Sequence, residues 1–179
     1  MTRLSPHPAS PPHAALTAHA RAARQGDELH LTFEVRAPAG LLRLPAPAAR
    51  PAFTDGLWRH TCCEAFVGTP EAEAYREFNL SPSGDWAAYA FSAYRAREAW
   101  SPATTPRLHC SPGPAGFTLV ATVPAELLPA GGDWSLGLSV VLEDRAGALA
   151  YFALHHAAPQ PDFHARAARC LRLDRKNAP

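Results

Sequence analysis

Between Leu57 and Arg95 the chain concentrates residues suited to recognising a small polar molecule: the carboxyls Glu64 and Glu77, the amide Asn79, and the rings of Trp58, Trp86 and Tyr89. An aromatic face covers the apolar side of a sugar-like ligand while carboxylates and amides take its hydroxyls. Arg95, His155 and His164 add polar groups that would close the rim of such a site. Strand alternation puts Trp58, His60, Cys62, Glu64 and Phe66 on one face, and Tyr75, Glu77 and Asn79 on one face of the next segment. Glu64 and Glu77 are therefore expected to face each other across a hairpin. Trp86 and Tyr89 fall on opposite faces of the following segment, so only one of them can serve a given sheet face and the other is core.

Two other chemistries compete for these residues. A pair of carboxylates in one groove is the apparatus of glycoside hydrolysis, with their separation setting an inverting or retaining course; on a solvated face the same groups would pair with Arg59, Arg76 or Arg95. The histidines His60, His155, His156 and His164 offer an alternative haem or metal site, although His155 and His156 are adjacent and point to opposite faces. Cys62, Cys63, Cys110 and Cys170 form no C-x-x-C pair and read as buried thiols, with only His60 beside Cys62 as a partner for nucleophilic chemistry. No P-loop, G-x-G-x-x-G, G-x-S-x-G or H-E-x-x-H pattern occurs. No cofactor is expected.

The net charge of +1, from 17 basic and 16 acidic residues spread along the chain, gives no electrostatic footprint for nucleic acid or anionic membrane. The expected partner is a small molecule, with an edge strand or the C-terminal segment as the surface for a homodimer. Prolines and histidines interrupt the first twenty residues where a signal peptide would have an apolar core, so the expected location is cytoplasmic. The 19 prolines beside a lone Lys176 reflect composition bias.

The elements that must position these residues are strands. Residues 1–14 read as a disordered arm, 15–174 as one domain and 175–179 as a tail. In ELHLTFEVRA, at 28–37, Leu29, Leu31, Phe33 and Val35 alternate with polar residues, the pattern of a half-buried antiparallel strand. Further strands are expected from near residue 16 and at 41–44, 60–68, 75–80, 86–94, 107–110, 117–123, 134–142, 149–155 and 170–173. Turn chemistry at 82–85, 112–114 and 131–133 separates several of them. Helical pattern is confined to one turn at 124–130 and another at 165–169. The fold class is all-β, an antiparallel sandwich, immunoglobulin-like or jelly-roll-like, of about ten strands.

The segments HTCCEAFVG, YREFNLSPSGDWAAYAFSAYR, YFALHH and PDFH, within a match from Leu16 to Leu173, resemble the bacterial DOMON-like family. That family is similar to DOMON domains and to family 9 carbohydrate-binding modules. The resemblance implies an antiparallel β-sandwich whose concave sheet binds either haem or a sugar. Where haem-binding relatives use an axial methionine this chain has only Met1, whereas Trp58, Trp86, Trp100 and Trp134 are available for the tryptophan clamp of the sugar binders. The chain departs from the family pattern at Cys63 and His156. The expectation is a non-catalytic domain holding a carbohydrate or similar polar molecule, with Trp58 and Trp86 stacking and Glu64, Glu77, Asn79, Tyr89, Arg95, His155 and His164 around it.

Overall fold

The structure, a computed structural model, describes residues 1–10, 12 and 14–175; the last four residues of the expected tail lie outside them. Among the described residues thirteen strands form two antiparallel sheets. The smaller sheet has the order β1 (Thr2–Arg3), β3 (Thr17–Gln25), β4 (Glu28–Arg36), β10 (Gly116–Val123) and β9 (Arg107–Gly113). The larger has the order β2 (Ser5–Pro6), β12 (Leu149–Ala153), β11 (Trp134–Glu143), β5 (Cys62–Gly68), β6 (Tyr75–Leu80), β7 (Trp86–Ala93) and β8 (Ala96–Arg97), with β13 (Leu171–Leu173) paired to β11. Three single 3-10 turns, Leu57–Arg59, Ala125–Leu127 and Arg166–Ala168, interrupt the connections.

The alternation in β4 does what the pattern predicts. Leu29, Leu31, Phe33 and Val35 are fully buried and join Leu119 and Val123 of β10. Opposite them in the same cluster lie Cys63, Ala65 and Val67 of β5, Phe78 and Leu80 of β6, and Leu136, Leu138 and Val140 of β11. Aligned sheets with interleaved apolar faces make the sandwich core. Gly116 is required where β10 meets β4, since its φ is +127° and a Cβ would stand 1.9 Å from the Val35 carbonyl oxygen.

The larger sheet is also covered on its outward face. A second apolar cluster there joins Phe66, Tyr75, Tyr89, Phe91 and Val141 to Phe163, which comes from the segment after β12. All seven residues of β5 and all ten of β11 are consequently buried. Strands covered on both sides lose strict alternation and read as continuous apolar runs.

The structure differs from the sequence expectation at three places. Residues 2–6, expected to be part of a disordered arm, add a short strand to each sheet through β1 and β2, and the fully buried Leu4 between them anchors the segment in the core. Residues 41–44 make only an isolated bridge, Leu42 to Asp144, because the chain crosses there between the two sheets instead of running along either. Trp58 sits in a 3-10 turn and packs against the outward cluster, its ring 5.9 Å from that of Tyr89 of β7.

Candidate functional site

An open cleft of about 880 Å³ lies on the outward face of the larger sheet. Its floor comes from alternate positions of three neighbouring strands: Glu64 and Phe66 of β5, Glu77 of β6, Tyr89 and Phe91 of β7. Because period-two geometry sends Cys63, Phe78 and Ala88 into the core, it sends their strand neighbours to this face. Trp58 walls one side, Leu149 and Tyr151 of β12 another, and Phe163 and His164 of the covering segment a third.

The register places Glu64 opposite Asn79 and Phe66 opposite Glu77, so the two carboxyls are diagonal neighbours on one face of the β5–β6 pair. Both are buried, at 2% and 5% exposure. Ser139 Oγ donates to Glu64 Oε2 at 3.0 Å, and Asn79 Nδ2 donates to Glu77 Oε1 at 2.7 Å. Burial pushes Glu64 up to about 8, the adjacent Glu77 carboxyl adding to the rise and the Ser139 hydroxyl opposing it. Burial likewise pushes Glu77 up to about 7, against the Asn79 hydrogen bond and the more distant Arg97 and Arg95.

His164 faces Glu77, its Nε2 lying 3.8 Å from Oε2. Its Nδ1 is 2.8 Å from the Tyr75 hydroxyl, and that hydroxyl oxygen already accepts the Arg95 backbone N–H at 3.3 Å. When the Tyr75 hydroxyl donates to Nδ1, the neutral imidazole carries its proton on Nε2, toward the cleft. Burial, reinforced by Arg95, holds His164 down to about 4, so the ring is neutral at neutral pH.

The covering segment is latched by Asp162. Its Oδ1 accepts from Arg95 Nη2 at 3.1 Å and from the His164 backbone N–H at 3.0 Å, and its Oδ2 accepts from the Tyr94 hydroxyl at 2.8 Å. Arg95, in the β7–β8 turn, has a positive φ of 53°, a strained conformation for a non-glycine residue that these bonds and the one to Tyr75 hold in place. Tyr89 donates to Asp55 Oδ1 at 2.6 Å, and the Arg97 guanidinium lies 4.1 Å from the Tyr89 ring centre.

Of the nine residues expected at a binding site, Trp58, Glu64, Glu77, Tyr89, Arg95 and His164 line the cleft. Trp86 does not: it lies on the inner face with the sandwich core at 6% exposure, the position opposite to Tyr89 that alternation demands. Asn79 is fully buried below the cleft and orients Glu77. His155 is exposed and does not line the cleft. The histidines proposed for haem or metal do not converge. His60 Nδ1 lies 2.8 Å from Glu143, His156 Nε2 lies 2.8 Å from the Ser5 carbonyl oxygen and His164 is engaged with Tyr75. Among the described residues no group of three or more His, Cys, Asp or Glu side chains is placed to hold a metal ion. Cys62 is fully buried and its thiol pushed well above the ordinary range by burial, so no reactive thiolate pairs with His60.

Sequence reasoning missed Phe66 and Phe91 as wall residues, along with Arg97, Tyr151 and Phe163. The first two were signalled by period-two spacing from Glu64 and Tyr89. Phe163 depends on how the segment after β12 folds back, and Tyr151 on the pairing of β12 with β11, for which no local signal exists.

No family model matches the chain, and no curated protein matches it. Solved structures do. A protein of Bacteroides uniformis, assigned as carbohydrate-binding, superposes with a TM-score of 0.67 at 16% identity, over 96% of this chain and 85% of the other. A family 9 carbohydrate-binding module from Caldicellulosiruptor kristjanssonii, solved with glucose, gives a TM-score of 0.64 at 10% identity, over 97% of this chain and 83% of the other. The same module with cellotriose gives 0.64 at 10% identity, covering 97% and 82%. At these identities the likeness is one of fold.

Proposed function

We propose that this chain is a non-catalytic carbohydrate-binding domain that holds a sugar, or a polar small molecule of similar shape, in the cleft on the outward face of the larger sheet. The observation that carries this reading is the meeting of aromatic walls and buried polar groups in one cleft. Trp58, Tyr89 and Phe91 offer apolar faces, while Glu64, Glu77 and Nε2 of His164 offer hydrogen-bonding partners for hydroxyls. A volume of about 880 Å³ accommodates one or two sugar rings.

Two further facts support the reading. The fold is shared with structures described as carbohydrate-binding, one of them solved with glucose and with cellotriose. The DOMON-like resemblance of EFNLSPSGDWAAY points to the same group of sandwiches, and that segment is where β6 and β7 deliver Glu77 and Tyr89. On this reading the domain recognises its ligand by stacking and hydrogen bonding, and the open cleft gives modest affinity.

The test is a thermal-shift screen of the purified chain against mono- and disaccharides, with hemin and divalent metals as controls. A ligand that binds the native state raises its apparent stability. The expected result is a shift with one or more sugars and none with hemin or metal; a shift confined to hemin or metal would overturn the reading.

A further inference from the structure

Glu64 and Glu77 lack something the rest of the cleft has. Each has one carboxyl oxygen satisfied by a neutral donor, Ser139 or Asn79. Among the described residues no hydrogen-bond donor reaches the second oxygen of either, and no arginine forms an ion pair with them; the nearest basic group is His164, 3.8 Å from Glu77 and neutral. Of the other charged groups, Arg169 stands 4.6 Å over the Tyr75 ring, and those at the rim are matched to each other. Arg95 is bound to Asp162 at 3.1 Å, Arg97 lies 3.8 Å from Asp55, and the Tyr89 hydroxyl is donated to that same Asp55. The thiol of Cys62, on the same face, is neutral. Two adjacent buried carboxyls with no cation in contact, the Arg95 and Arg97 charges acting on Glu77 only from a distance, are an expensive arrangement, relieved by protonation or by a positive charge from outside.

The walls fit the second remedy. Trp58, Phe66, Tyr89, Phe91, Tyr151 and Phe163 surround the pair, and aromatic faces attract cations, most strongly where water is excluded. An ammonium carries one positive charge and up to three donors, which matches two free carboxyl oxygens beside aromatic rings. Building on the carbohydrate-binding reading, we propose that the cleft selects a ligand bearing an ammonium group beside its hydroxyls, an amino sugar, with Glu64 and Glu77 as its counter-charges.

The raised carboxyl values, about 8 and about 7, supply a signature specific to this arrangement. A neutral sugar leaves the two acids as they are, whereas an ammonium between them favours their ionised forms and drives protons off. The experiment is calorimetry on the full chain at about pH 6.5 with glucosamine, glucose and N-acetylglucosamine, each in two buffers of different ionisation enthalpy. Glucosamine is expected to bind at least about tenfold more tightly than the two uncharged sugars. Its binding is expected to release about one proton. In the Glu64→Gln/Glu77→Gln variant the preference for glucosamine over the two uncharged sugars and the proton release are both expected to vanish, with an unchanged circular dichroism spectrum reporting that the sandwich is intact. Equal affinity for all three sugars, preference without proton release, or preference retained in the double variant would overturn the inference and leave the carbohydrate reading standing. Binding of none of the three would overturn both.

Discussion

The hydroxyl of Tyr75 and Nδ1 of His164 lie 2.8 Å apart, joining β6, the middle strand of the cleft floor, to the segment that covers it. The Tyr75 ring stacks on Phe91 at 4.7 Å with 5° between the planes, so Tyr75→Phe preserves the stack and removes only the hydroxyl. The His164 ring and the Arg95 N–H both lose a partner. A loss of about 1–2 kcal/mol is expected. For a chain of this length that lowers Tm by roughly 2–8 °C. Differential scanning calorimetry checks it, and an unchanged Tm would contradict the network.

Trp58 and Trp86, which look alike in sequence, are expected to respond oppositely. Trp58 is half-buried at the cleft wall, and Trp58→Ala should weaken sugar binding about tenfold or more with a small effect on stability. Trp86 is in the core, where Trp→Ala costs about 3–5 kcal/mol. Urea denaturation beside ligand titration separates the two; similar stability losses would mean that the assigned faces are wrong.

Stability should fall as pH rises through neutrality. Glu64 and Glu77 hold their protons up to about 8 and about 7 in the native state but ionise near the ordinary 4.5 when unfolded. The stabilisation linked to them is complete below about 4.5 and is lost as pH climbs to about 8. His164, held down to about 4 against an ordinary 6.5, acts in the opposite sense, adding stability as pH rises between those values. The fall is therefore cleanest between about pH 6.5 and 8. Denaturation midpoints across that window should decline in the wild type and flatten in Glu64→Gln; parallel profiles would contradict the burial of an acid there.

Asp162→Ala should loosen the covering segment without unfolding the sandwich. It removes bonds to Arg95, Tyr94 and the His164 backbone at once, all of them at the edge of the cleft. Amide exchange is expected to speed up at 160–168 while β5 and β11 stay protected. Uniform acceleration would mean that the segment is part of the global cooperative unit.

Much of the fold was legible in the sequence because one period dominates it. Leu29 to Val35 alternate, β6 falls on the expected residues 75–80, and the two expected helical turns are the 3-10 turns at Ala125–Leu127 and Arg166–Ala168. The shared cleft face of Glu64, Glu77 and Tyr89 was legible because alternation fixes which side chains share a face, whereas Trp58 reaches the cleft from a 3-10 turn. What escaped depends on contacts distant in sequence. Thr2–Arg3 and Ser5–Pro6 carry no strand signal of their own and are ordered by pairing with β3 and β12. Trp86 was expected to stack on the ligand beside Tyr89 although the two alternate, and it lies in the core because which face is core depends on the opposite sheet. The uniform burial of β5 follows from Phe163 packing on Phe66, at 6.4 Å between ring centres, which no window of local sequence contains.

The most direct test of the account is the affinity of the wild-type chain and of Trp58→Ala for a panel of mono- and disaccharides, measured by calorimetry with denaturation midpoints alongside. The account expects saturable one-to-one binding of at least one sugar by the wild type and its loss, or a weakening of about tenfold or more, in a variant of near-native stability. Binding that is undiminished in Trp58→Ala, or no binding of any sugar by a folded wild-type chain, would contradict it.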